Sequence, residues 1–223
     1  MSETVITVQG SARSEMPPEQ AVLRFTVTAD GPERVPVVAA VTAALNDVSS
    51  VLSAQHANDG PVSQWSADRV AVTSHRPWTN DGVPAALVHQ ATASGRATIS
   101  RIDAVAELID DLASHDLVAI DSLEWSLTDA RLAREQRDVR ARAVADARAK
   151  AEVLAESVGL GSVTPLALAD PGMLDGSGGG GMPMPRVERA MAMASMPHGD
   201  VGFSLRPEPI VINVAVDARF SAR

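Results

Sequence analysis

The chain has 223 residues, a formal net charge of −9, 45% hydrophobic residues and 21% charged residues, the balance of a folded globular protein with a sizeable core. The acidic excess argues against a nucleic-acid or anionic-membrane partner. With no cysteine, no tyrosine and only 3% aromatics, thiolate chemistry is excluded and a base- or sugar-stacking platform is disfavoured.

The first ten residues, MSETVITVQG, lack the basic and apolar run of a signal peptide, so the expectation is a cytoplasmic protein, exported only if a leader has been removed. Thr4–Gln9 alternates as a strand that Gly10 closes, and Ala21–Ala29 places Leu23, Phe25 and Val27 on one face of a second strand. The two are expected to pair as a hairpin. From Val35 to about Gln55 the period turns helical, with Val38, Val41, Leu45, Val48 and Leu52 in one stripe. Val62–Ser74 and Ala86–Ile99 read as strands around a turn-rich segment, the latter with a bulge at Gly95.

Ser100 is the expected N-cap of a second helix whose apolar face is Val105, Leu108, Ile109 and Leu112. Val118–Leu127 returns to period two, and its phase change between Ile120 and Leu123 predicts a bulge. Thr128 or Asp129 caps a long third helix running to about Val158, with Ala143, Ala147, Ala151, Leu154 and Val158 toward the core. Its acidic residues Glu135, Asp146 and Glu152 are spaced to pair with arginines one turn away. The helix stops at Gly159-Leu160-Gly161. Val163–Ala169 is a short strand, and Pro209–Ala222 is a closing strand with Ile210, Ile212, Val214, Val216 and Phe220 on one face. A strand that apolar is expected inside a sheet.

Pro171–Gly199 breaks this regularity. Its glycine run, Gly176–Gly181, is interrupted only by Ser177, and the following stretch is rich in Met and Pro. Ordering each residue costs about 1–2 kcal/mol, and no periodic apolar burial offsets it, so this loop is expected to be flexible and dispensable for folding. Met182/Met184 and Met191/Met193 have spacing that suits a soft ion such as Cu(I), but Met is equally an adaptable contact residue. The reading adopted assigns no metal, cofactor or catalytic residue.

Four stretches carry a family likeness: ITVQG followed by PPEQAVLRFTV, the helix from Val35 toward Trp65, AVADARAKAEVLAESVGLGSV, and PEPIVINVAVDARF. In order and spacing they resemble the SIMPL-domain family, over roughly Thr4–Phe220. The resemblance implies an α+β fold, antiparallel or mixed sheet with about three packed helices. It also implies a single domain over residues 1–223, with the loop at 171–199. Some members form ring- or cage-like oligomers, and the family offers no agreed catalytic residues. Members are commonly exported, and a tyrosine common in the middle strands is missing where Val88-His89-Gln90-Ala91 stands.

The five histidines form no metal-ligand spacing, and no phosphate loop or nucleophile elbow occurs. The favoured expectation is therefore a non-enzymatic, self-assembling or adaptor protein: a homo-oligomer without nucleic-acid partner or transmembrane segment. One alternative is an envelope or oxidative-stress factor, by family analogy. The other is a pocket hydrolase using His89 with Asp103 or Glu107, which flank a strand-to-helix turn.

Overall fold

The computed structural model describes residues 4–57, 59–77, 86–174, 187–188, 191–192 and 205–223. They fall into two compact units, each assembled from separated stretches of chain. The first draws on Met1–Pro17, Leu127–Arg189 and Pro209–Arg223, the second on Pro18–Ser126 and Ala190–Glu208. Every strand pairing among the described residues is antiparallel, and the fold is α+β. Most of the loop expected at 171–199, with its MxM pairs, lies outside the described residues.

The first unit is a sheet of β1 (Thr4–Met16), β10 (Ile210–Ala222) and β7 (Val163–Ala169), in the order β1-β10-β7. A two-residue strand, β8 (Val187–Glu188), also pairs with β10. The closing strand is thus central, and Ile210, Ile212, Val214, Val216 and Phe220 are buried along one face as its alternation requires. The long helix α3 (Asp129–Ser157) packs across β1 and β10.

Both ends of α3 follow local chemistry. Thr128 Oγ1 accepts from the Arg131 N–H at 3.3 Å. At the other end Gly159 takes φ +77°, the Gly159 N–H reaches the Glu156 carbonyl and the Leu160 N–H reaches that of Ala155. That is a Schellman stop, and the left-handed residue it needs is most easily glycine.

The second unit is a sheet ordered β3-β5-β2-β6-β9, with β4 also paired to β5. Its strands are β2 (Gln20–Gly31), β3 (Val62–Ala67), β4 (Ala71–His75), β5 (Val88–Ile99), β6 (Val118–Ser126) and β9 (Met191–Ala192). Helices α1 (Arg34–His56) and α2 (Val105–Ala113) cover one face, burying Leu23, Phe25, Val27, Ile99 and Trp125 with Val41, Val48, Leu52, Leu108 and Leu112. Burying one such side chain contributes about 1.5–3 kcal/mol, so these residues dominate the unit's stability. Helix α1 is the one described helix long and apolar enough to cross a membrane, yet its stripe Val37, Val41, Val48 and Leu52 packs on β2, β5 and β3.

Several local expectations change. Strand β1 does not stop at Gly10 but continues to Met16, and it pairs with β10 rather than β2. Alternation identifies a strand but not its partner, and Thr4 lies opposite Ala222 at the far end of the chain. The segment 62–74 divides into β3 and β4, both on β5. Gly95 is no bulge in the β2 pairing: it lies in register opposite Phe25, where an added Cβ would come within 2.8 Å of the ring's Cε2. The bulge predicted before Leu123 is present, with Arg24 opposite Ser122 and Phe25 opposite Ile120. Ser100 caps no helix. Its N–H and hydroxyl both donate to the Pro61 carbonyl, and a 3-10 turn, Ile102–Ala104, leads into α2.

Candidate functional site

The first unit is organised around a close crossing of α3 over β1. Val139, Ala143, Ala147, Ala151 and Ala155 recur every four residues and are all buried. Beneath them lies Gly10, where a Cβ would overlap the Ala143 carbonyl and lie 2.6 Å from the Ala147 methyl. Four alanines and one glycine let the helix backbone approach the strand to a distance that no larger pair of residues permits.

That approach brings polar side chains of α3 to the free edge of β1. Lys150 Nζ donates to the Gln9 carbonyl at 3.0 Å, and Asp146 Oδ2 accepts from the Ser11 N–H at 2.8 Å. The two side chains are themselves paired at 2.7 Å. An exposed edge is a template for further strand pairing, and here its groups are occupied by an ion pair. The hydrogen bond from Lys150, followed by that from the Ser11 N–H, holds the Asp146 carboxyl below its ordinary value of 3.8, against an opposing effect of desolvation. Asp146 was expected to pair with an arginine; Lys150 takes that place. The other two expected pairs do form with arginines, Arg131–Glu135 at 3.1 Å and Arg148–Glu152 at 2.9 Å.

The strict four-residue spacing has a second consequence. Leu154 and Val158, read from sequence as core-facing, are exposed at 48% and 67%, beside Val153 at 62%. Ala155 holds the buried position instead, because one residue turns the helix by about 100°. Val153 and Leu154 line a shallow cleft of about 580 Å³ with Val8, Gln9, Ala149 and Lys150. At the far edge of the same sheet Leu166 and Leu168 are exposed on β7. A register shift at Arg219/Phe220 and Pro165 opposite Phe220 disfavour strand addition at that edge. This surface offers apolar side chains for packing beside the Lys150–Asp146 pair.

The residues considered for hydrolysis are not brought together. His89 Nδ1 lies 2.7 Å from Ser74 Oγ, as the β4–β5 register places them directly opposite. Asp103 is in the 3-10 turn and Glu107 in the first turn of α2, and neither forms a hydrogen bond or ion pair with His89. Among the described residues no group of three or more His, Asp or Glu side chains is placed to hold a metal ion. What the sequence reading missed is the exposed flank of α3. The uninterrupted series 139, 143, 147, 151, 155 was its available signal.

Comparison with known families adds one finding. The model of the SIMPL family, described as a protein of unknown function (DUF541), matches residues 6–220. No curated protein matches the sequence. The matched span takes in both units, from β1 to the closing strand that pairs with it, and the chain belongs to the SIMPL family.

Proposed function

We propose that the chain is a non-enzymatic protein that works by associating with copies of itself, through the exposed flank of α3 in its first unit. The observation that carries this reading is the placement of Val153, Leu154 and Val158 on the solvent side of a helix whose packing needs are already met by alanine. Single exposed apolar residues need no explanation, but three within six residues, beside a cleft floored by Val8, form a patch. A second copy is the occupant favoured by the chemistry of the edges. Lys150 and Asp146 close β1 at Gln9 and Ser11, and the bulge and Pro165 interrupt β7, so strand addition is discouraged while side-chain packing is left open.

Light scattering on the full chain across micromolar concentrations tests the reading. A mass that is a multiple of the protomer supports it. A strict monomer throughout that range refutes it.

A further inference from the structure

The second unit carries a different kind of unexplained surface. On the face of its sheet away from α1 and α2, Arg24 of β2 lies directly opposite Arg96 of β5. Like charges directly opposite across strands destabilise a sheet, so the pairing calls for a reason. Neither guanidinium has a hydrogen-bond or ion-pair partner among the described residues. The Asp121 carboxylate forms no ion pair with either of them; its Oδ2 accepts from Thr26 Oγ1 at 2.7 Å. Both arginines line one cleft of about 290 Å³, together with Ser66, Asp68, Ser94 and the backbone of Gly95.

We propose that this cleft binds a phosphate group, with Arg24 and Arg96 as its two cationic arms. Guanidinium groups present planar pairs of N–H donors that match the oxygens of an oxyanion, and two of them on adjacent strands can share one tetrahedral anion. The Ser66 hydroxyl supplies a further donor, while that of Ser94 lies 3.4 Å from Thr26 Oγ1, whose own proton goes to Asp121. Asp68 is a carboxylate in the same cleft and sharpens the selection. It repels a fully deprotonated anion but accepts a hydrogen bond from one that still carries a proton. Hydrogen phosphate and phosphate monoanions have that proton at neutral pH; sulfate does not. The anion also relieves the Arg24–Arg96 repulsion, so occupancy stabilises the folded chain.

The test is calorimetric titration of the full chain with inorganic phosphate, with sulfate, and with glycerol phosphate, each at ionic strength held constant with chloride. Saturable phosphate binding, weaker for sulfate, is the expected result. Arg24→Gln and Arg96→Gln should each weaken it at least about tenfold, the loss of a charge-assisted hydrogen bond pair. Their unliganded thermal midpoints should stay level or rise, since each removes a like-charge contact, which separates lost binding from lost folding. Asp68→Asn should narrow the preference for phosphate over sulfate. Compared at about pH 5, below the second ionisation near about 6 so that the ester also carries a proton, tighter binding of glycerol phosphate than of inorganic phosphate identifies a phosphate ester as the source, and the reverse order identifies the free ion. Absence of saturable phosphate binding, equal binding of sulfate, or phosphate binding unchanged in both arginine variants would overturn the assignment.

Discussion

The two units use the same plan, an antiparallel sheet with helix on one face, and fill the interface between the layers in opposite ways. In the first unit the contact of α3 with β1 is made by Gly10 and a row of alanines, so the backbones approach closely and the large side chains Val153, Leu154 and Val158 are left outside. In the second, Trp125, Phe25, Leu23 and Ile99 meet the leucines and valines of α1 and α2, and the sheet's other face is a polar field of Arg24, Arg96, Thr26, Ser94, Thr28 and Thr92. Close packing of small residues exposes apolar surface, while packing of large residues consumes it. The difference explains why contact chemistry is proposed for one unit and anion chemistry for the other.

Breaking the second unit's core should have the largest effect. Phe25→Ala removes a fully buried ring and should cost about 3–5 kcal/mol in chemical denaturation. Because the ring occupies the space a Gly95 side chain would take, Gly95→Ala should recover part of that loss in the Phe25→Ala background and destabilise the wild type. Additive behaviour of the two substitutions would contradict the ring-over-glycine account. In the first unit Gly10→Val forces a side chain against the Ala143 carbonyl, which no rotamer change relieves, and should cost about 3 kcal/mol, the upper range of overpacking. A neutral outcome would mean that α3 lies farther from β1 than described.

The smallest expected effect concerns the Asp146–Lys150 clasp on β1. A carboxyl held below its ordinary 3.8 in the folded chain stabilises at higher pH, and the contribution fades as pH falls through the folded value. Asp146→Asn should therefore lower the thermal midpoint at neutral pH slightly and flatten its decline below about pH 3.8. Parallel midpoint-versus-pH curves for the two proteins would show that Asp146 contributes nothing to the folded state.

What was legible in the sequence was what local chemistry decides. The Thr128 cap, the stop at Gly159, the strand Val163–Ala169 and the alternation of Ile210–Phe220 all read directly, because caps and periodicity act within a few residues. Pairing was not legible. The hairpin expected between β1 and β2 is replaced by β1 with β10, a partner that no local pattern specifies. Gly10 looked like a strand end and is a mid-strand gap for a helix; Gly95 looked like a bulge and is room for Phe25. Arg24 and Arg96 are ordinary outward-facing residues until the β2–β5 register sets them opposite one another. The end of α3 turns one residue away from the sequence expectation: Leu154 is exposed and Ala155 buried, since the four-residue series of small residues that meets Gly10 continues through Ala155.

The central claim, that this flank is a contact between copies, is tested most directly by replacing Val153 and Leu154 together with aspartate and measuring solution mass by light scattering, with the thermal midpoint as control. Both side chains are exposed, so each substitution should move stability by no more than about 0.5 kcal/mol. The account predicts that the wild type scatters as a multiple of the protomer and the double variant as the protomer, at an unchanged midpoint. An assembled double variant of the same mass as the wild type would contradict it.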